Sequence, residues 1–437
     1  MLRIKNFILF VRFSLAAFFT CSVLSVVHAK ELIDTKSLAQ EVESEVISWR
    51  RDLHQYPELS NREFRTSKII EKHLISLGLD VRTDIAHTGV VGILKGGNSG
   101  PLIALRADMD ALPVKEEVDL SFASKAIDTY RGQKVGVMHA CGHDTHVAIL
   151  MGVAQSLVKV KEHLHGDVMF IFQPAEEGAP SGEEGGAELM LKEGLFSERK
   201  PEQIFGLHVT SSMPTGMIGL RSGPAMASED SFTITVSGKQ THGSRPWNGV
   251  DPIVAAAQII NGVQTIISRQ VDVTAAPAVV SFGAINGGIR SNIIPDKVEL
   301  IGTIRTFDQD MRADIKKRLA NTASLIAESM GASARTVIQQ GYPVTVNDPE
   351  LVQKMEPVLL GVVGEKMLIE PGLITGAEDF SYYALETPGM FFFLGVTPAG
   401  TDYKIAPSNH SPRFYVDESA FVIGVEALTQ LAVTSLR

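Results

Sequence analysis

Side chains able to grip a transition-metal ion fall in four widely separated segments of this chain, and a fold that uses them must bring all four together. The segments are Cys141-Gly142-His143-Asp144-Thr145-His146, Gln173-Pro174-Ala175-Glu176-Glu177, Gly206-Leu207-His208 and, much later, His410. Thiolate, imidazole and carboxylate in combination suit zinc, manganese, cobalt or nickel. Cys141 and His143 are two residues apart, so they diverge on a helix but converge on one ion in a loop, which Gly142 favours. Taken alone, that pair reads equally well as a buried cysteine beside a structural histidine. Glu177, His208 and His410 move the reading to a metal centre. His139 and His146 are weaker candidates for extra ligands. Adjacent glutamates are ordinarily a solvated pair, but Glu176 and Glu177 follow Gln-Pro and an apolar strand. We assign Glu177 as ligand and Glu176 as general base.

The surrounding pattern gives the fold class. Apolar runs at Val90–Leu94, Leu102–Arg106, Asp167–Phe172 and Gln203–Val209 alternate with helical spacing at Leu38–Leu53, Phe64–Leu77 and Thr145–Val160. Strands that are apolar throughout imply a mostly parallel sheet flanked by helices, an α/β catalytic domain. Ligand sites of such sheets gather beyond the carboxyl ends of the strands. Asp108, Asp110, Glu176, Glu177 and His208 all fall there. Asp110 is a candidate to orient a ligand histidine, with an ordinary strand-end turn as the alternative.

The composition changes near Ser222-Gly223-Pro224. Thereafter Ser231–Val236, a helix capped by Asp251 and opened by Pro252, Ala278–Phe282, Lys297–Arg305, a helix at Asp308–Met330 and Ser333–Ile338 follow the order β-α-β-β-α-β. That order predicts an inserted ferredoxin-like α+β domain. Its boundaries are set at 224–340, with the catalytic domain in two parts, 30–223 and 341–437. On the inserted domain, His242 in Thr241-His242-Gly243-Ser244 is a candidate donor to an oxyanion, and Arg290 and Asn292 are candidates to hold a substrate carboxylate. Loop residues without a role are the ordinary reading of all three. His54, His73, His87, His163 and His165 lack ligand-like surroundings and are read as surface or packing residues.

Arg3, Lys5 and Arg12 precede an apolar run from Phe13 to Val27, and Val27-His28-Ala29 offers a small-residue cleavage site. This is the layout of a signal peptide over residues 1–29, so the chain is expected to be exported, periplasmic or secreted, with no membrane attachment after cleavage. A retained anchor is the alternative, though the run is short for a bilayer. The formal charge of −10 disfavours nucleic acid as a partner. Of the two cysteines, Cys21 and Cys141, only Cys141 survives cleavage, which excludes an intrachain disulfide and favours metal ligation for a lone thiol in an oxidising compartment.

These segments, together with Arg51-Asp-Leu-His-Gln-Tyr-Pro-Glu58, Arg106-Ala-Asp-Met-Asp-Ala-Leu-Pro113, Met138-His-Ala-Cys-Gly-His-Asp-Thr-His146, Asn292-Ile-Ile-Pro295 and His410-Ser-Pro-Arg-Phe414, resemble the aminoacylase/carboxypeptidase G family of co-catalytic metallohydrolases. The similar branch is that of the indole-acetyl-amino-acid and hippurate hydrolases and other N-acyl-amino-acid amidohydrolases. The resemblance implies two divalent metal ions (Mn, Zn, Co or Ni) held by a bridging Cys141 with His143, Glu177, His208 and His410, and Glu176 as base. It implies an N-acyl amino acid substrate, His242 and Asn292 as substrate contacts, and a lid of the dimerisation type, which allows a homo-oligomer. Arg290 is not a family residue. Trp247 and the Gly288-Ile-Arg-Ser stretch depart from the branch pattern. Two rival readings remain: an amidase with Cys141 as covalent nucleophile, which a chelator would spare, and an exported metal- or solute-binding protein without turnover.

Overall fold

The structure is a computed structural model and describes residues 33–437; the expected signal segment lies outside them. Its centre is an eight-stranded sheet in the order Asp80–Ile85, Gly89–Leu94, His165–Gln173, Asn98–Asp108, Gln203–Pro214, Gly389–Thr397, Ile218–Gly219, Leu368–Ile369. The four inner strands from His165–Gln173 to Gly389–Thr397 pair in parallel, and antiparallel neighbours flank them. Gly389–Thr397 is buried at every position, as a strand covered by helices on both faces must be. The helices Thr35–Gln55, His143–Lys159 and Phe421–Ser435 pack on one another. His143–Lys159 opens with a polar but buried first turn, His143-Asp144-Thr145-His146, and continues as a buried apolar helix for most of its length, so its N-terminus is fixed by the core.

From Asp230 to Gln340 the chain builds a second sheet, ordered Ala278–Gly287, Lys297–Thr306, Asp230–Ser237, Ser333–Gln340 and antiparallel throughout. The helices Pro252–Arg269 and Gln309–Ser329 form one core with it, through Ile259, Val263, Leu300 and Leu319 among others. Asp251 accepts from the backbone of Ile253 and Val254, and Asp308 from Met311, the caps that start both helices. Strand order and pairing are those of the ferredoxin-like unit, so the molecule has the α/β class with an inserted α+β lid. The lid joins the main sheet through two crossings that pair with each other, Gly223–Met226 and Thr345–Asn347. At this junction Arg312 donates to both carboxylate oxygens of Asp230, at 2.6 and 2.8 Å, and to the carbonyl of Gly341 at 2.8 Å.

Among the described residues, no helix is long and apolar enough to cross a membrane.

Candidate active site

Most of the chemically active side chains sit where a buried strand or helix begins or ends. Cys141 and His143 flank the N-terminus of His143–Lys159, Glu176 and Glu177 follow His165–Gln173, and His208 lies within Gln203–Pro214. Cys141 Sγ is 3.4 Å from His208 Nε2 and 3.2 Å from His410 Nε2. His410 Nε2 is also 3.1 Å from Glu177 Oε1. His143 Nε2 stands 3.8 Å from Glu176 Oε2 and 4.0 Å from Glu177 Oε1. Donors bound to one ion at about 2.0–2.3 Å lie roughly 3–4 Å apart. Two triplets, Cys141/His143/His208 and Cys141/Glu177/His410, each hold their donor atoms within 4.8 Å of one another. Both contain Cys141, so cations in the two triplets would share its sulfur.

Outside the short contacts that the ligating atoms make with one another, hydrogen bonds hold the far nitrogen of His208 and of His143. His208 Nδ1 faces the carbonyl of Val209 at 2.7 Å; it donates there, and the lone pair of Nε2 points at Cys141. His143 Nδ1 faces Asp110 Oδ1 at 3.2 Å, while its Nε2 and Glu177 Oε1 are buried without a hydrogen-bond partner. The approach of His410 to Glu177 is short but not well angled. Unpaired polar atoms cost about 1–3 kcal/mol each when buried, unless something fills the gap between them. This donor set fits a pair of divalent cations.

The electrostatics agree. Burial pushes the Cys141 thiol well above its usual range, and Glu177 and Glu176 push it further. Burial, then Glu378 and Glu177, raise Glu176 well above the carboxylate range. Burial works against a charged His143, yet Asp108 and Asp110 outweigh it and lift the imidazole to about 10. All three shifts report a buried, electron-rich cluster that attracts positive charge, and cations bound there reverse the logic for the thiol.

Asp110 is the hub of this arrangement. Its Oδ1 faces His143 and accepts from the amide of Glu176 at 3.0 Å; its Oδ2 accepts from the amide of Glu177 at 3.1 Å and from Ser60 Oγ at 2.7 Å. Asp108 instead contacts His146 Nδ1 at 2.5 Å and accepts from Arg106 at 2.7 Å. His146 Nε2 accepts from the amide of Val209 at 2.8 Å. Both ring nitrogens of His146 are therefore engaged, which leaves it no lone pair for a cation.

Local backbone follows from the same demands. Gly142 has φ +96°, and a Cβ there would stand 2.3 Å from Val209 Cγ2; only glycine lets the chain turn into the helix this close to the neighbouring strand. Ala175 and His410 hold left-handed φ values of 53° and 72°, uncommon for residues with a Cβ. Glu63 Oε1 accepts from the amide of Ala175 at 3.0 Å, and the amide of His410 donates to the carbonyl of Ala140 at 2.8 Å.

A cavity of about 680 Å³ opens over the cluster, lined among others by Cys141, Glu176, His208 and His410 and, from the lid and its junction, by Arg305 and Tyr342. His242, Arg290 and Asn292 are not among its walls. They sit together on the lid, where His242 pairs with Ile293 and the amide of Gly243 donates to the carbonyl of Asn292 at 2.9 Å. All three are exposed. Several residues of the site escaped sequence reasoning. Arg305 occupies the solvent-side phase of the strand Lys297–Thr306, a signal that alternation could have supplied. Tyr342 and Glu378 carry no such signal. His54, read as packing, is buried and bridges Asp144 at 2.7 Å and Glu116 at 3.1 Å.

The family described as Peptidase family M20/M25/M40 matches residues 104–434. The chain belongs to this family. It is 41% identical over 402 residues to thermostable carboxypeptidase 1 of Saccharolobus solfataricus, covering 91% of this chain and 97% of that protein. It is 38% identical over 381 residues to N-acetyl-L-cysteine deacetylase of Bacillus subtilis, covering 87% and 86%. The crystal structure of a dinuclear metal-binding peptidase of the M20 family from Bacillus subtilis superposes with a TM-score of 0.75 at 34% identity, covering 91% of this chain and 99% of that one. This M20 chain thus shares its fold with a two-metal relative.

Proposed function

We propose that this M20 protein is a two-metal amidohydrolase that cleaves the amide bond of N-acyl amino acids or small peptide-like substrates with a free carboxylate. The observation that carries the reading is the pair of donor triplets meeting at Cys141. Relatives named as a thermostable carboxypeptidase and an N-acetyl-L-cysteine deacetylase support it.

Cys141, His143, Glu177, His208 and His410 would hold the cations; thiolate, imidazole and carboxylate together accept zinc, manganese, cobalt or nickel. Bound there, divalent cations acidify a water and polarise an amide carbonyl. Glu176 takes the proton of the attacking water and passes it to the departing amine. Burial and Glu378 raise its proton affinity in the cluster, and positive charge bound beside it would draw the carboxylate back into the range of a base. Asp110 fixes the peptide that bears Glu176 and Glu177 and the ring of His143. Arg305, the guanidinium in the cavity wall, is placed to pair with the substrate carboxylate. His242, the donor to the developing oxyanion in this proposal, reaches the reacting carbonyl only through a lid movement or from a second copy of the chain. Asn292 and Arg290 share its position.

The amino-terminal segment supports export, with Cys141 kept from oxidation by burial and metal ligation. The test is hydrolysis of N-acetyl, N-benzoyl and indole-acetyl amino acids by the metal-loaded protein, beside a Glu176→Ala variant. The variant is expected to keep its metal and lose roughly two to four orders of magnitude in rate; an unchanged rate removes the assigned base. Activity that survives complete chelation would point to a Cys141 nucleophile, and metal binding without turnover on any amide would leave a binding protein.

A further inference from the structure

In the proposed reaction His242 stabilises an oxyanion, which it can do only from a ring nitrogen that carries a proton. A neutral imidazole has one such nitrogen and one lone pair, and the hydrogen bond made at either nitrogen decides which is which. For His242 the deciding partner is two residues along the chain. The backbone amide of Ser244 lies 3.0 Å from His242 Nδ1, and Ser244 Oγ lies 2.8 Å from the same atom. An amide N–H can only donate, so Nδ1 accepts. The hydroxyl, able to act either way, then donates to Nδ1 as well. The proton of the neutral ring is left to Nε2.

We infer that Ser244 is a positioning residue: through both of its donors it fixes His242 as the Nε2–H tautomer, and so makes the far ring nitrogen the one that donates. The inference rests on the reading of His242 as donor to the oxyanion and says what makes it one. With the proton on Nδ1 instead, a lone pair on Nε2 would meet the developing negative charge and repel it. The fold holds the pair in place. The amide of Arg245 donates to the carbonyl of His242 at 2.8 Å, closing a turn across Gly243 and Ser244. On the other side, His242 pairs with Ile293 and the amide of Gly243 is bound by the carbonyl of Asn292. The base of the loop is shut by Lys239 and Val250, whose amides donate to each other's carbonyls at 2.9 and 3.0 Å. Both His242 and Ser244 are exposed, so water competes for these bonds. Partners so close in the chain, in a turn anchored on both sides, have little ordering left to lose on meeting.

The test is ring-nitrogen NMR of the zinc-loaded full chain, isotope-labelled at histidine, at an alkaline pH where exposed imidazole is neutral. The His242 resonances are those missing from His242→Ala. Wild type is expected to show Nε2 as the protonated nitrogen and Nδ1 as the lone-pair nitrogen. Ser244→Ala deletes the hydroxyl and keeps the amide. It should move the tautomer ratio toward Nδ1–H by about three- to tenfold, the worth of one hydrogen bond, and Ser244→Thr should restore it. In hydrolysis of an N-acetyl amino acid, Ser244→Ala should lower kcat by about two- to fivefold with KM within about twofold. In a His242→Ala background it should lower kcat no further, because the hydroxyl acts through the ring. A further fall there would assign Ser244 to the loop alone and overturn the inference. A wild-type ring with its proton on Nδ1, or a tautomer ratio that ignores Ser244→Ala, overturns it too, whether or not the protein hydrolyses an amide. The expected tautomers in a protein whose turnover survives His242→Ala unchanged would uphold the Ser244–His242 pair and overturn His242 as the oxyanion donor instead.

Discussion

The hydroxyl of Tyr342 donates to the backbone carbonyl of Glu176 at 2.6 Å. Tyr342 stands at the junction where the lid returns to the main sheet, one residue beyond Gly341, whose carbonyl Arg312 holds. The orientation of the lid and the peptide bearing the proposed base are thus tied by one hydrogen bond. Tyr342→Phe keeps the ring packed edge-on against Tyr382, 6.2 Å away, and deletes only the bond. We expect kcat to fall roughly five- to tenfold, the worth of one buried hydrogen bond, with metal content unchanged. Equal kcat in the two proteins would show that the tie does not position Glu176.

Asp110→Asn preserves shape but removes the charge that His143 and two backbone amides share. Loss of such an orienting carboxylate costs about 10- to 100-fold in metal affinity. Competition with a fluorescent chelator measures it, and an affinity matching wild type would mean the three contacts are individually replaceable.

Arg106 is fully buried and donates to Asp108, Asp379 and Gln173 at 2.7, 2.8 and 2.9 Å, with Glu378 also at 2.9 Å. Arg106→Met fills similar volume yet strands three carboxylates. Removal of one partner of a buried ion pair costs about 3–5 kcal/mol, and urea unfolding is expected to show a loss of that size. A smaller loss would mean the carboxylates take up protons in compensation, as burial already lifts Glu378 to about 8 and Asp379 to about 6.

Burial, and then Asp110, raise Glu63 to about 8 from an ordinary 4.5. A carboxyl whose folded pKa lies above its unfolded value lends stability that is complete below about 4.5 and fades as pH climbs toward 8. Glu63→Gln cannot ionise. The stability of the variant relative to wild type should therefore rise steadily across that window, seen in unfolding curves at several pH values; a difference independent of pH would place the ionised form in the native state.

Much of this was legible beforehand because burial writes itself into periodicity. The middle stretches of the inner strands and of the helix His143–Lys159 are apolar runs, and Asp251 and Asp308 announce their helices by capping chemistry. Metal-type side chains at strand ends were legible for the same reason, since few roles suit cysteine, histidine and glutamate there. What stayed hidden depends on tertiary neighbours. The hairpin around Arg131 is half-buried at three positions only, Tyr130, Val135 and Gly136, so its alternation is faint. Tyr342 matters through a hydroxyl aimed at a carbonyl 166 residues away, and His146 looks like a ligand until Asp108 and Val209 are seen to occupy both its nitrogens. The exposed place of His242 on the lid could not be read from its motif either, because strand-end loops face either solvent or site.

His410 enters the cluster from the last stretch of the chain, after the lid has been traversed. In chain order, all three donors of the first triplet precede the imidazole that completes the second. A chain cut short of His410 therefore loses one of the two donor triplets outright, while every donor of the other remains encoded.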